Sequence, residues 1–177
     1  MKKLYPLIFF LLLLNNISCI SKCSLNEIFI EDKEIVKNTV SEFYNNYNGN
    51  FRQADTAYLT QNLKTAIINA IATEKESALE VKASRYPSDK PKILEGEILV
   101  GLYESFTAFS ITDITIHNDT LASSEIQFNN HYYSIKWTDS VVLVNENGWK
   151  IADIFFTKPN QKPVLSSLQL LDLFNNY

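Results

Sequence analysis

Residues 137 to 154, WTDSVVLVNENGWKIADI, decide the fold. Trp137 to Val144 and Trp149 to Ile154 are rich in β-branched and aromatic residues, and between them stands Asn147-Gly148. Asn-Gly accepts the left-handed backbone of a two-residue hairpin turn, so the segment predicts two antiparallel strands joined tightly. A tryptophan near each end needs a covering layer to be buried. Side chains alternate along a strand, so Asp139 shares a face with Tyr133, Ile135, Trp137, Val141 and Leu143. A carboxylate on an apolar face is expected to have a raised pKa. Asp153 shares parity with Trp149 and Ile151 and is expected nearby.

Working outward, the β texture begins at Ile93 and continues to Thr157. The expected strands are Ile98 to Glu104, Thr107 to His117, Leu121 to Asn129, Tyr132 to Val144 and Trp149 to Phe156, with turns at Asn118-Asp119 and Asn129-Asn130. Apolar parity shifts from Phe109 and Ile111 to Ile114 and Ile116, which predicts a bulge near Thr112-Asp113. Before the sheet, Val36, Val40, Phe43, Tyr44 and Tyr47 recur at helical steps from Asp32 to Tyr47. Asn48-Gly49-Asn50 stops that helix. A short helical piece over Gln53 to Tyr58 follows, then a longer helix capped by Thr60, with Leu63, Ile67, Ala70 and Ile71 on one side, running to about Leu79 or Val81. Pro87 and Pro91 close this helical half. After Pro159 and Pro163, Val164, Leu168, Leu171 and Phe174 are spaced for one face of a terminal helix, expected to dock on the domain because isolated helices this short are marginal.

The fold class is therefore α+β, with N-terminal helices on an antiparallel sheet. With Trp137 to Leu143 and the strand opening Gly148-Trp149-Lys150-Ile151, this layout resembles the nuclear-transport-factor-2-like, cystatin-like α+β cone. It is also similar to a group of exported bacterial proteins classed as a domain of unknown function, in which an acidic stretch like Lys92 to Ile98 precedes the sheet and Glu104 matches a second acidic position. The resemblance covers residues 33 to 157. It implies a strongly curved sheet, an aspartate, histidine or tyrosine inside the cone in those relatives that move protons, and dimerisation through the open sheet in others.

The N-terminus is read as an export leader. Lys2 and Lys3 precede an apolar core, Leu4 to Leu14, interrupted by Pro6. That core is too short to cross about 30 Å of hydrocarbon, which takes roughly 20 apolar residues. Ser18 before Cys19 suits a lipoprotein signal peptidase, while Asn16 departs from the Leu usual there; cleavage near Ser21 to Cys23, leaving a periplasmic or secreted product, is the alternative. The expected organisation is a signal peptide over 1–18, a lipidated Cys19 and tether over 19–31, the α+β domain over 32–157, and a linker and helix over 158–177. The expected location is the cell envelope, on a membrane through the Cys19 lipid. Cys19 and Cys23 are the only two cysteines, so the domain is built without disulfides.

At 177 residues, 46% hydrophobic and 20% charged, the chain fits one globular domain behind a leader. A net charge of −4 with no Lys/Arg cluster argues against nucleic-acid binding. Only 4 glycines and no phosphate-cradling motif argue against a nucleotide fold. The candidate proton-transfer groups are Asp139, Asp153, Tyr103 and Tyr133. Candidate ligand-binding residues are Tyr44, Tyr103, Tyr133, Trp137 and Asp139. His117 and His131 are expected at the surface. Glu95, Glu97 and Glu104 are expected to form a solvated acidic edge rather than a cation site, and no cofactor or metal is expected. Three functions remain: a non-catalytic binding or scaffold lipoprotein taking a small apolar ligand or a protein partner, an immunity or inhibitor protein against a toxin or hydrolase, and a proton-transfer enzyme using a cone aspartate.

Overall fold

A computed structural model describes residues 30–102, 104–157 and 165–176. The leader, Cys19, Cys23, most of the tether, Tyr103 and Val164 lie outside the described residues. Helix α1 spans residues 30–46 and buries the expected stripe of Val36, Val40, Phe43, Tyr44 and Tyr47. Two 3-10 turns, Phe51–Gln53 and Thr56–Tyr58, stand where one short helical piece is predicted. Helix α2, Gln61–Ala83, begins where the Thr60 hydroxyl accepts from the Leu63 amide, satisfying one of the orphan donors of a first turn.

Strands β1 (Ala108–Asn118), β2 (Leu121–Asn130), β3 (Ile135–Asn145) and β4 (Trp149–Thr157) form one antiparallel sheet in sequence order. Asn147 and Gly148 turn β3 into β4 with φ of 58° and 120°. Helix α3, Ser167–Asn176, returns against α2 and β4, with Leu171 buried. The architecture is α+β with three helices, and the sheet is not strongly curled. That corrects the strongly curved sheet expected from the resemblance. The register shift between Ile111 and Asp113 falls where the parity change places a bulge, and its effect is local.

Residues 98–102 correct a second expectation. Ile98, Leu99 and Val100 are buried, but the segment is a bend and joins no strand. A continuous apolar run has no period that separates a strand from any other buried stretch. Its backbone groups must still find partners, and side chains supply them. The Tyr44 hydroxyl donates to the Leu99 carbonyl at 3.0 Å, the Ser167 hydroxyl donates to the Ile98 carbonyl, and Asp139 accepts from the Gly101 amide at 2.7 Å. Helix α1, helix α3 and strand β3 thus hold the 98–102 strap in the core.

The strap's approach is fixed at the surface too. Arg52 pairs with Glu74 of α2 and donates to the Leu94 carbonyl at 2.8 Å, while Glu74 accepts from the Leu94 amide at 2.7 Å. Burial pushes the Glu74 pKa up, but the Arg52 hydrogen bond, the Leu94 amide and the Arg52 charge outweigh it and leave the carboxyl below its usual range.

Candidate functional site

Asp139 sits on the inward face of β3, fully removed from solvent at 0% exposure. Its Oδ2 accepts from the Gly101 amide at 2.7 Å and the Trp137 indole at 3.0 Å, and its Oδ1 accepts from the Thr157 amide at 3.2 Å. Burial raises its pKa to about 6, against these three donors, which favour the charged form. Trp137 stacks on Phe128 with ring centroids 5.4 Å apart. Tyr44 is also buried, its pKa raised by burial and by the nearby Asp139 charge. Asp139 and Trp137 therefore meet inside packed core, with buried Tyr44 beside them.

The other candidates lie elsewhere. Tyr133 is 58% exposed; residues 131–134 form the β2–β3 turn, with Ser134 at φ 54°, so β3 starts at Ile135 and Tyr133 is not on its inward face. Asp153 is moved off the face of Trp149 and Ile151 because β4 shifts register there: Val142 pairs with Asp153 and Leu143 with Ile151. Its carboxylate accepts from the Leu168 amide at 3.0 Å and serves the first turn of α3. Tyr103 lies outside the described residues. His117 and His131 are exposed.

Glu97 departs most from expectation. Glu95 and Glu104 are exposed, and Glu95 pairs with Lys90. Glu97 is instead half-buried and accepts from the Tyr47 hydroxyl at the end of α1. Burial raises its pKa to about 7, against the Tyr47 hydrogen bond and the Arg52 charge, both of which lower it. The Tyr47 hydroxyl is held well above its usual range by burial and by Glu97. Tyr47 also lines a surface groove of about 430 Å³ with Tyr44, Asn45, Phe106, Thr107, Ala108 and Phe109. Phe106 meets Tyr44 edge-on at 5.9 Å and Phe109 at 5.9 Å, so the apolar wall is a set of interlocked rings.

The residue just before Phe106 has an unusual backbone. Ser105 adopts φ 62°, held by the Asn130 side-chain amide donating to its carbonyl at 3.0 Å. Gly49, at φ 78°, approaches so closely that a Cβ there would stand 2.9 Å from the Ser105 Oγ. A non-glycine residue in that region carries a cost on the order of 1–3 kcal/mol. The sequence marks Gly49 as a helix stop but gives no sign of what it faces. Glu97 was legible as an acidic residue, while its pairing with Tyr47 spans 50 positions and has no local signal.

No family model, curated protein or solved structure matches the chain. Among the described residues, no group of three or more His, Cys, Asp or Glu is placed to hold a metal ion, and no helix is long and apolar enough to cross a membrane.

Proposed function

We propose that the protein is an exported, lipid-anchored, non-catalytic binding protein that meets a protein partner at the groove between Tyr47 and Phe106. The observation that carries this reading is the state of Asp139. A general acid or base must reach substrate, and this carboxylate is enclosed with three donors from three separate segments already on it. The groove between Tyr47 and Phe106, by contrast, is open to solvent and sets polar Asn45 and Thr107 beside half-buried Phe106 and Phe109, a mixed surface of the kind protein interfaces present.

The export and anchor parts of the proposal rest on Lys2, Lys3, the apolar run and Ser18-Cys19. Helices followed by a sheet that ends in the Trp137–Ile154 hairpin support a nuclear-transport-factor-2-like relationship, in a flatter form. The test uses the full chain in its envelope, with a photo-crosslinking residue at Thr107 or, as a control, at His117 on β1. A discrete adduct from position 107 alone is expected. Equal labelling from both positions, or none from either, rejects the groove as the contact.

A further inference from the structure

The two walls of the Tyr47–Phe106 groove come together at the Glu97 carboxyl. Glu97 accepts from the Tyr47 hydroxyl at the end of α1. A Cβ on Gly49 would stand 2.9 Å from the Ser105 Oγ and 4.0 Å from the Glu97 Oε1, so Glu97 and Ser105, the residue before Phe106, converge on the same bare glycine. One wall is thus bonded to Glu97 and the other packs beside it. The backbone at this point is set apart as well. Among the described residues, Ser134, Asn147 and Gly148 have positive φ and turn hairpins, while the other three of that kind all meet here: Gly49 at φ 78°, Gly96 at 82° and Ser105 at 62°. Gly96 passes between left- and right-handed backbone at little cost, and Ser105 holds strain that a shift of its segment would release.

The groups around Glu97 do not keep it ionised. Tyr47 reaches it from α1 and the Arg52 charge acts on it from the Phe51–Gln53 turn; both favour the carboxylate, and burial outweighs both, raising the pKa to about 7. Arg52 is already engaged by Glu74 and the Leu94 carbonyl. On the segment of Glu97 itself, Glu95 is exposed and paired with Lys90. Ser105 contributes no ionisable group. A half-buried carboxyl in this setting is held best as the neutral acid, and its charged form is better served by water.

We propose that Glu97 is a proton-operated latch on the groove: neutral, it holds Tyr47 against the Glu97–Ser105 side; ionised, it swings out to water about Gly96 and lets the two walls part. An outward Glu97 titrates as an ordinary carboxyl near 4.5, so the drop from about 7 sets the reach of the device. The ratio of latched to open molecules falls by up to roughly 300-fold as pH rises through that window, the factor that 2.5 pKa units supply. Opening removes the acceptor of the Tyr47 hydroxyl and frees Ser105 to leave its left-handed conformation, which moves Phe106 with it. Control of a partner through Glu97 presupposes the groove reading; the motion itself does not.

The test follows the resonances of Tyr47, Ser105 and Phe106 in the full chain, isotope-labelled and held in detergent, as pH rises from 5 to 8. They should shift together, and in Glu97→Gln, which keeps an acceptor for Tyr47 but cannot ionise, they should stay at their low-pH positions. Tyr47→Phe is the second variant: Glu97 should still titrate, without moving residue 47. His131 is exposed and its amide donates to the Thr107 hydroxyl beside the groove, so His131→Gln serves as a control and should leave the midpoint where it is. The latch is refuted if Glu97 titrates while Ser105 and Phe106 stay still, if the shifts persist in Glu97→Gln, or if they vanish in His131→Gln. The partner adduct from position 107 should be stronger at pH 5.5 than at pH 8 in the parent and equal at both in Glu97→Gln. An adduct in the parent that ignores pH overturns the control of the partner, whereas no adduct at either pH sinks the groove reading and leaves the latch to be judged on the resonances.

Discussion

At the scale of single residues, Asp139 and Gly101 act as one unit. A Cβ on Gly101 would lie 2.6 Å from the Asp139 Oδ1, and the packed carboxylate has nowhere to withdraw. Gly101→Ala should therefore destabilise the fold by about 1–3 kcal/mol, the usual cost of overpacking, measurable by urea denaturation. The two raised carboxyls set a pH dependence. A carboxyl whose folded pKa lies above its unfolded value binds its proton more tightly when folded, so its stabilisation is complete below the unfolded pKa and is lost as pH rises through the folded one. For Asp139 that window runs from about 3.8 to about 6, and for Glu97 from about 4.5 to about 7. Stability should fall as pH rises from 4 to 7. Asp139→Asn should flatten the lower part of that slope and Glu97→Gln the upper part; profiles parallel to the parent in thermal melts would refute the assignment. Four glycines in the chain made each one conspicuous, but Gly101 sits in an apolar run whose partner lies 38 positions away.

At the scale of elements, the hairpin was legible because its signal is local: Asn147-Gly148 needs no distant partner to set the turn. The β1 bulge was legible for the same reason, as a change of parity. The β4 shift carries a like signal, since Trp149 and Ile151 give way to Ile154, and reading it would have moved Asp153 off the inner face beforehand. The 98–102 strap was not legible, because what keeps it from being a strand is supplied by Tyr44, Ser167 and Asp139 from elsewhere. Its dependence on them is testable. Tyr44→Phe leaves the Leu99 carbonyl buried and unpaired, and Ser167→Ala does the same to the Ile98 carbonyl. Each should cost about 1–3 kcal/mol. The double variant should depart from additivity, because both act on one short segment; strict additivity in denaturation would mean that the strap does not move as a unit.

At the scale of the whole molecule, the sheet has two distinct ends. The Trp149 indole donates to Asp32 at 2.9 Å, which ties the first turn of α1 to the β3–β4 hairpin. The β2–β3 turn, with Tyr132 88% exposed, lies at the opposite end of β3. If Cys19 is the lipidated residue, as proposed, Cys19→Ala should abolish lipid labelling and release the chain from membranes; undiminished labelling would reject that anchor.

The Trp149–Asp32 bond thereby gives the molecule a bearing. Strand β3 pairs with β2 over ten residues, from Ile135 to Val144, about 30 Å at strand rise. Whatever chain leads into residue 30 joins one pole, and Tyr132 and Tyr133 crown the other. A lipid at Cys19 would make the hairpin pole the moored one and turn the tyrosine pole outward, like the lamp on a mast. A membrane-embedded quencher should then dim a fluorophore placed near Asn147 and spare one at Tyr132.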